Sequence, residues 1–215
     1  RSASGEIVDF QSTDVFGYAC GDAVPAYGGL LNRARRHILL VRPNVVVVVD
    51  DPAAPEAADY QWLFQTRQQF ADMNEASQTF VSERGGHTMK VHLATPGGFS
   101  FHQTDDWPDE PTKGYEDKMD ERGGRIPPKH WHFTGSTREK TRARRIAAIM
   151  AIDENGVMPE AVLEREGDLL KARVPMTGAT AMVTVDLGTG KAGEAPILEV
   201  EYRADSGKSE RLSVK

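Results

Sequence analysis

The stretch RPNVVVVVDD, residues 42–51, sets five consecutive valines against two adjacent carboxylates, Asp50 and Asp51. Branching at Cβ costs rotamer freedom in a helix and suits a pleated surface, so the run predicts a strand. Its lack of polar alternation predicts that both faces of the strand are covered. Such a strand belongs in the middle of a sandwich or layered sheet, and Asp50 and Asp51 are then expected at a solvated rim where it emerges.

Outward from this run, glycine, proline and polar clusters separate further β-like segments at 6–11, 15–19, 33–41, 60–66, 79–83, 87–94 and 99–103. The pattern resumes at 130–134, 144–152, 161–166, 169–174, 181–186, 197–203 and 210–214. Only 27–34 and 67–76 have the character of a helical turn or two. The expectation is an all-β protein, an antiparallel sandwich of two packed sheets with one long charged loop. A chain of 215 residues with 39% hydrophobic content suffices for one such domain, spanning 1–215.

The long loop is 105–129, which carries both charge signs, glycines and prolines without apolar periodicity. Loops of that length inside a domain are uncommon, and are either disordered or solvated flaps or reach a ligand or neighbouring domain. In the second case Trp107 and Tyr115 are its substrate-binding candidates, because aromatic faces stack on sugars.

Charge and motifs narrow the function. A net charge of −6 argues against a nucleic-acid partner, despite the local RARR at 33–36. One cysteine, Cys20, excludes an internal disulfide framework, and no apolar run reaches membrane-spanning length. The chain opens RSASGEIVDF, with neither an initiator methionine nor a signal peptide, and is expected to be a piece of a larger protein. No nucleophile elbow, phosphate-binding glycine loop or zinc-type cysteine pair occurs. His130 and His132 share one face of a strand, but Glu139 follows His132 too late for a cupin metal site. GDAVPAYG at 21–28 reads as a strand-to-strand loop whose chemical groups are Asp22 and Tyr27.

Three of these pieces together carry a resemblance: GDAVPAY, then RRHILLVRPNVVVVVDD, then YQWLFQT. In order and spacing they resemble the C-terminal β-sandwich of the heparinase II/III-like polysaccharide lyases, over roughly the first half of the chain. The resemblance implies β-elimination in an acidic, uronate-containing polysaccharide. In that reaction a base takes the proton α to the carboxylate and an acid protonates the leaving oxygen. It also implies that the catalytic groups lie mainly on a helical toroid and on segments preceding this point in the sandwich, so no catalytic residue is assigned here and an N-terminal helical domain or companion chain is the expected partner. Tyr27, Arg36 and His37 become substrate-binding candidates. A periplasmic or secreted location follows from the same resemblance.

The family often has a histidine where this chain has Gln65, and that histidine helps an aspartate hold a structural divalent metal ion. Asp50 is the metal candidate here, but a glutamine amide lacks the zinc affinity of imidazole. Two roles stay open for Asp50, fixing a turn or holding a metal. The alternative function from another class is a non-catalytic carbohydrate-binding or assembly module that kept the sandwich and lost the cleft.

Overall fold

The computed structural model describes residues 4–106, 130–189 and 196–215. The first half of the chain forms β1 (Glu6–Ser12), β2 (Phe16–Asp22), a 3-10 turn (Val24–Tyr27), β3 (Arg33–Val41), β4 (Val45–Ala58), β5 (Gln61–Thr66), β6 (Ala71–Asn74), β7 (Thr79–Arg84), β8 (His87–Ala94) and β9 (Phe99–Thr104). The second half adds β10 (Trp131–Thr137), β11 (Thr141–Ala143), β12 (Ile146–Ile152), β13 (Val162–Glu166), β14 (Leu169–Met176), β15 (Ala179–Asp186), β16 (Leu198–Ala204) and β17 (Ser209–Val214). All pairing among the described residues is antiparallel, which makes the all-β sandwich the observed fold. Trp107, Tyr115 and the long loop that carries them lie outside the described residues, apart from Asp105 and Asp106.

The strands make three sheets, and the largest is the middle layer of the molecule. Its order is β1-β2-β3-β4-β12-β8-β7-β6, with β11 also paired to β4; the other two are β5-β10-β9 and β13-β14-β15-β16-β17. The valine run lies near its centre, between β3 and β12. Val45, Val47 and Val49 face the five-stranded sheet and pack in one core with Val183, Val185 and Leu198. Val48 faces the three-stranded sheet and packs in a second core with Phe80, Phe99 and Phe133. β12 does the same, sending Ala147, Ile149 and Ala151 one way and Ile146, Ala148 and Met150 the other. The sandwich thus has a third layer, which explains why the run does not alternate. Each fully buried valine contributes about 1.5 kcal/mol or more of transfer free energy.

The two cores differ in kind. The core under the five-stranded sheet is mainly aliphatic, with Phe16 and Tyr18 among its residues, whereas the other is rich in aromatic rings, with Phe80 and Phe133 stacked at 4.1 Å between ring centroids and Phe70 edge-on to Phe80 at 5.4 Å. Offset and edge-to-face rings add a modest attraction to the area they bury.

β4 does not stop where its valines do. It runs on through Asp50, Asp51 and two prolines to Ala58. A proline cannot donate to a ladder and is confined to sheet edges or irregular pairing. Both conditions are met: β12 leaves β4 at Asp50, and β11 takes its place with a register shift between Thr141 and Ala143. The Pro52 carbonyl still accepts from the Arg144 N–H at 3.2 Å. The expected rim is therefore mid-strand. The helical turn expected at 67–76 is instead β6 and a turn in which the Asn74 side chain accepts from the N–H groups of Ala76 and Ser77 at 2.9 and 3.0 Å.

Candidate functional site

Adjacent residues on a strand point to opposite faces, and this divides the two carboxylates at the end of the valine run. Arg36 lies opposite Asp50 in the β3–β4 ladder, and Arg35 opposite Asp51. Asp50 faces the three-stranded-sheet side, where Arg36 donates to both its oxygens, Nε at 2.6 Å and Nη2 at 2.8 Å. That bond holds the Arg36 guanidinium more firmly protonated than usual. Asp51 faces the other layer and is only 3% exposed, with Arg33 at 2.8 Å and Arg145 at 3.5 Å. Arg145 reaches on to Asp186 of β15 at 2.9 Å, tying the central sheet to the five-stranded one. Asp51 is thus not a solvated strand end. It is a buried anchor, because the strand continues past it and its carboxylate lies under the second layer.

The arginines of RARR are each engaged by an aspartate, since Arg35 also meets Asp22 at 3.3 Å. Asp22 in turn accepts from the Val24 N–H at 3.0 Å, and this bond first, then Arg35, lowers its carboxyl pKa. The same bond opens the 3-10 turn. Pro25 fits its start, and Gly28, with φ of 58°, ends it in the left-handed region that favours glycine. GDAVPAYG is therefore a shaped wall and not a plain loop.

That wall, the following residues to Leu31, and the near faces of β3 and β4 enclose a cleft of about 570 Å³. Tyr27 lines it at 47% exposure, and Arg36 and Asp50 lie on its floor. Tyr60 closes the far side, its hydroxyl donating to the Arg142 carbonyl at 2.9 Å. The volume is in the range of small-molecule sites. The structure brings together Tyr27, Arg36 and Asp50 in this cleft, and adds Leu30 and Leu31, which no motif marks, and Tyr60, which opens the YQWLFQT piece.

His37 is not in the cleft. It neighbours Arg36 and so points to the opposite face, where it is 2% exposed and its Nδ1 lies 2.9 Å from the Tyr18 hydroxyl. Burial lowers its pKa, partly opposed by the charge of Asp51, and burial likewise raises that of Tyr18. A sugar cannot reach it, so the substrate-binding role expected for His37 is corrected to a core role. A metal does not fit at Asp50, because the Arg36 cation already sits on its carboxylate and no group of three or more His, Cys, Asp or Glu stands ready for an ion among the described residues. Gln65 lies on β5, exposed, opposite His132 of β10.

The architecture defined by these layers, a broad antiparallel sheet covered on both faces, is shared with known proteins. The sequence matches no family model and no curated protein. Among solved structures it is similar to a heparinase III gene product, at 15% identity and a TM-score of 0.60, covering 98% of this chain and 27% of that one. It is also similar to the heparan sulfate lyase HepC from Pedobacter heparinus, at 11% identity and a TM-score of 0.56, over 87% of this chain and 28% of that. A further heparinase III structure matches at 12% identity and a TM-score of 0.52, over 100% and 28%. This chain has the fold of part of the heparinase III and heparan sulfate lyase structures. It spans about a quarter of the length of the chains it matches.

Proposed function

We propose that this chain is the β-sandwich portion of a polysaccharide lyase of the heparinase II/III-like kind, and that it supports the substrate cleft without itself supplying the reacting groups. The observation that carries this reading is the likeness to heparinase III over 98% of the chain but only 27% of that protein. The parent protein acts by β-elimination on an acidic, uronate-containing polysaccharide in the periplasm or outside the cell. Its proton-transfer groups sit on a helical domain or companion chain. Trp107 and Tyr115 belong to the same substrate-binding reading. Neither nucleic acid nor insertion in a membrane enters it; no helix among the described residues is long and apolar enough to cross a membrane.

Elimination needs an acid and a base within reach of substrate. Tyr18 and His37 are within hydrogen-bonding distance of each other, yet both are almost wholly buried. The cleft lined by Tyr27 and Arg36 has binding groups.

Two measurements test the reading. The chain incubated with alginate, heparin or related uronates is expected to give no ultraviolet rise from the unsaturated product. In affinity electrophoresis through gels containing polysaccharide it is expected to be retarded, and Tyr27→Ala to run free. An ultraviolet rise abolished by a substitution within this chain would place the chemistry here and refute the supporting role.

A further inference from the structure

The charges of the cleft cancel one another. Of its lining residues, Arg35, Arg36, Asp50 and Asp59 are of charged type, and each has a counter-ion of its own. Arg36 holds Asp50 by two hydrogen bonds, Arg35 meets Asp22 at 3.3 Å, and Asp59 meets Lys140 at 3.6 Å. An acidic sugar entering here finds no guanidinium without a carboxylate already on it. To win Arg36 it would have to displace Asp50, whose charge repels it and whose two-point geometry is the strongest an arginine makes.

The remaining lining is apolar or neutral: Leu30, Leu31, Ala54 and Ile146, with the phenol of Tyr27 and the amide of Gln61 at the exposed side. The Arg36–Asp50 pair keeps unused capacity in its bound state. Each Asp50 oxygen has a further lone pair, and the Arg36 guanidinium has donors beyond the two it spends. A hydroxyl pair, which both donates and accepts, matches that mixed edge without disturbing it. A carboxylate or sulfate, which only accepts, does not.

We infer that this cleft takes an uncharged pyranose unit, apolar ring face against Tyr27 and hydroxyls on the Arg36–Asp50 pair, and discriminates against a carboxylated or sulfated one. This rests on the glycan reading above and narrows it. The acidic unit of the polymer is then met elsewhere in the parent protein, and the sandwich reads its neutral neighbour.

The experiment uses the whole chain, titrated with neutral tetrasaccharides of β-linked glucose and of N-acetylglucosamine, and with a uronate tetrasaccharide and a heparin tetrasaccharide, followed by calorimetry and by proton NMR of the sugars. A neutral tetrasaccharide is expected to bind with an affinity that does not change with salt, since no net charge is neutralised. Tyr27→Ala should weaken it roughly tenfold with the melting temperature unchanged, because Tyr27 is half exposed. Asp50→Asn leaves Arg36 with an uncompensated charge and should raise the affinity for the uronate tetrasaccharide. If the unaltered chain prefers the charged tetrasaccharides, with affinity falling as salt rises, the inference is overturned while the glycan reading stands. An Asp50→Asn chain with no gain for uronate overturns it as well. If no glycan of either kind binds, the glycan reading itself fails and takes the inference with it.

Discussion

Removing the charge of Asp51 takes the carboxylate partner from Arg33 and leaves Arg145, itself 5% exposed, with Asp186 alone. Breaking a buried pair from one side costs about 3 kcal/mol or more where the surviving ion is left without water or partner, and here Asp186 on Arg145 and solvent at Arg33 hold the cost of Asp51→Asn to about 2 kcal/mol. Asp50→Asn should cost about 1 kcal/mol or less, because the Arg36 side chain is 56% exposed and solvent takes over. Urea unfolding midpoints of the two variants are expected to separate in that order. His92 gives the pH counterpart. It is buried, its Nε2 has no hydrogen-bond partner, and burial followed by Lys90 lowers its pKa from 6.5 to about 4. The unfolded chain therefore binds the proton first as pH falls. The stability tied to neutral His92 is complete above 6.5 and is lost progressively down to about 4, by about 3 kcal/mol in all. His92→Leu is expected to shrink the difference between unfolding midpoints at neutral pH and near pH 4.5; an undiminished difference would assign the acid sensitivity to other groups.

At the scale of elements, β4 and β12 are walls common to both cores. Val47 is fully buried, and Val47→Asp places an unpaired carboxylate in the aliphatic core at a cost of several kcal/mol, comparable to the whole stability of a domain. The variant is expected to lack a cooperative melt by near-ultraviolet circular dichroism. Strands of this kind were legible in the sequence because β-branched runs leave no helical alternative; β3 and β8 coincide with the expected 33–41 and 87–94. The far half of β4 was not legible, because prolines 52 and 55 mark a strand end unless the change of partner from β12 to β11 is known. β6 and β11 were missed for another reason: they are short, carry no apolar alternation, and are strands only through their neighbours. Of the cleft, Tyr27, Arg36 and Asp50 could be named from their motifs. His37 was misplaced by a single position of strand parity, and Leu30, Leu31 and Tyr60 are assembled only by the fold.

At the scale of the molecule, the five-stranded sheet is a continuous C-terminal meander, β13 to β17, laid over Val45, Val47 and Val49. A chain ending at residue 158 would expose that apolar face, and is expected to be recovered as aggregate or to bind ANS strongly, whereas the intact chain should do neither. The valines also leave a question of alignment. In most sheets a slip of one residue is forbidden because it turns apolar side chains out to water. Here a slip of β4 by one residue would exchange valine for valine on both sides of the sheet, and the two cores would scarcely register the error. The carboxylates would register it at once, Asp50 swinging beneath the covering sheet and Asp51 out to the cleft, each away from its arginine. The layers are thus glued by the valines but indexed by the two charges that follow them, as a uniform rack is indexed by a single keyed tooth.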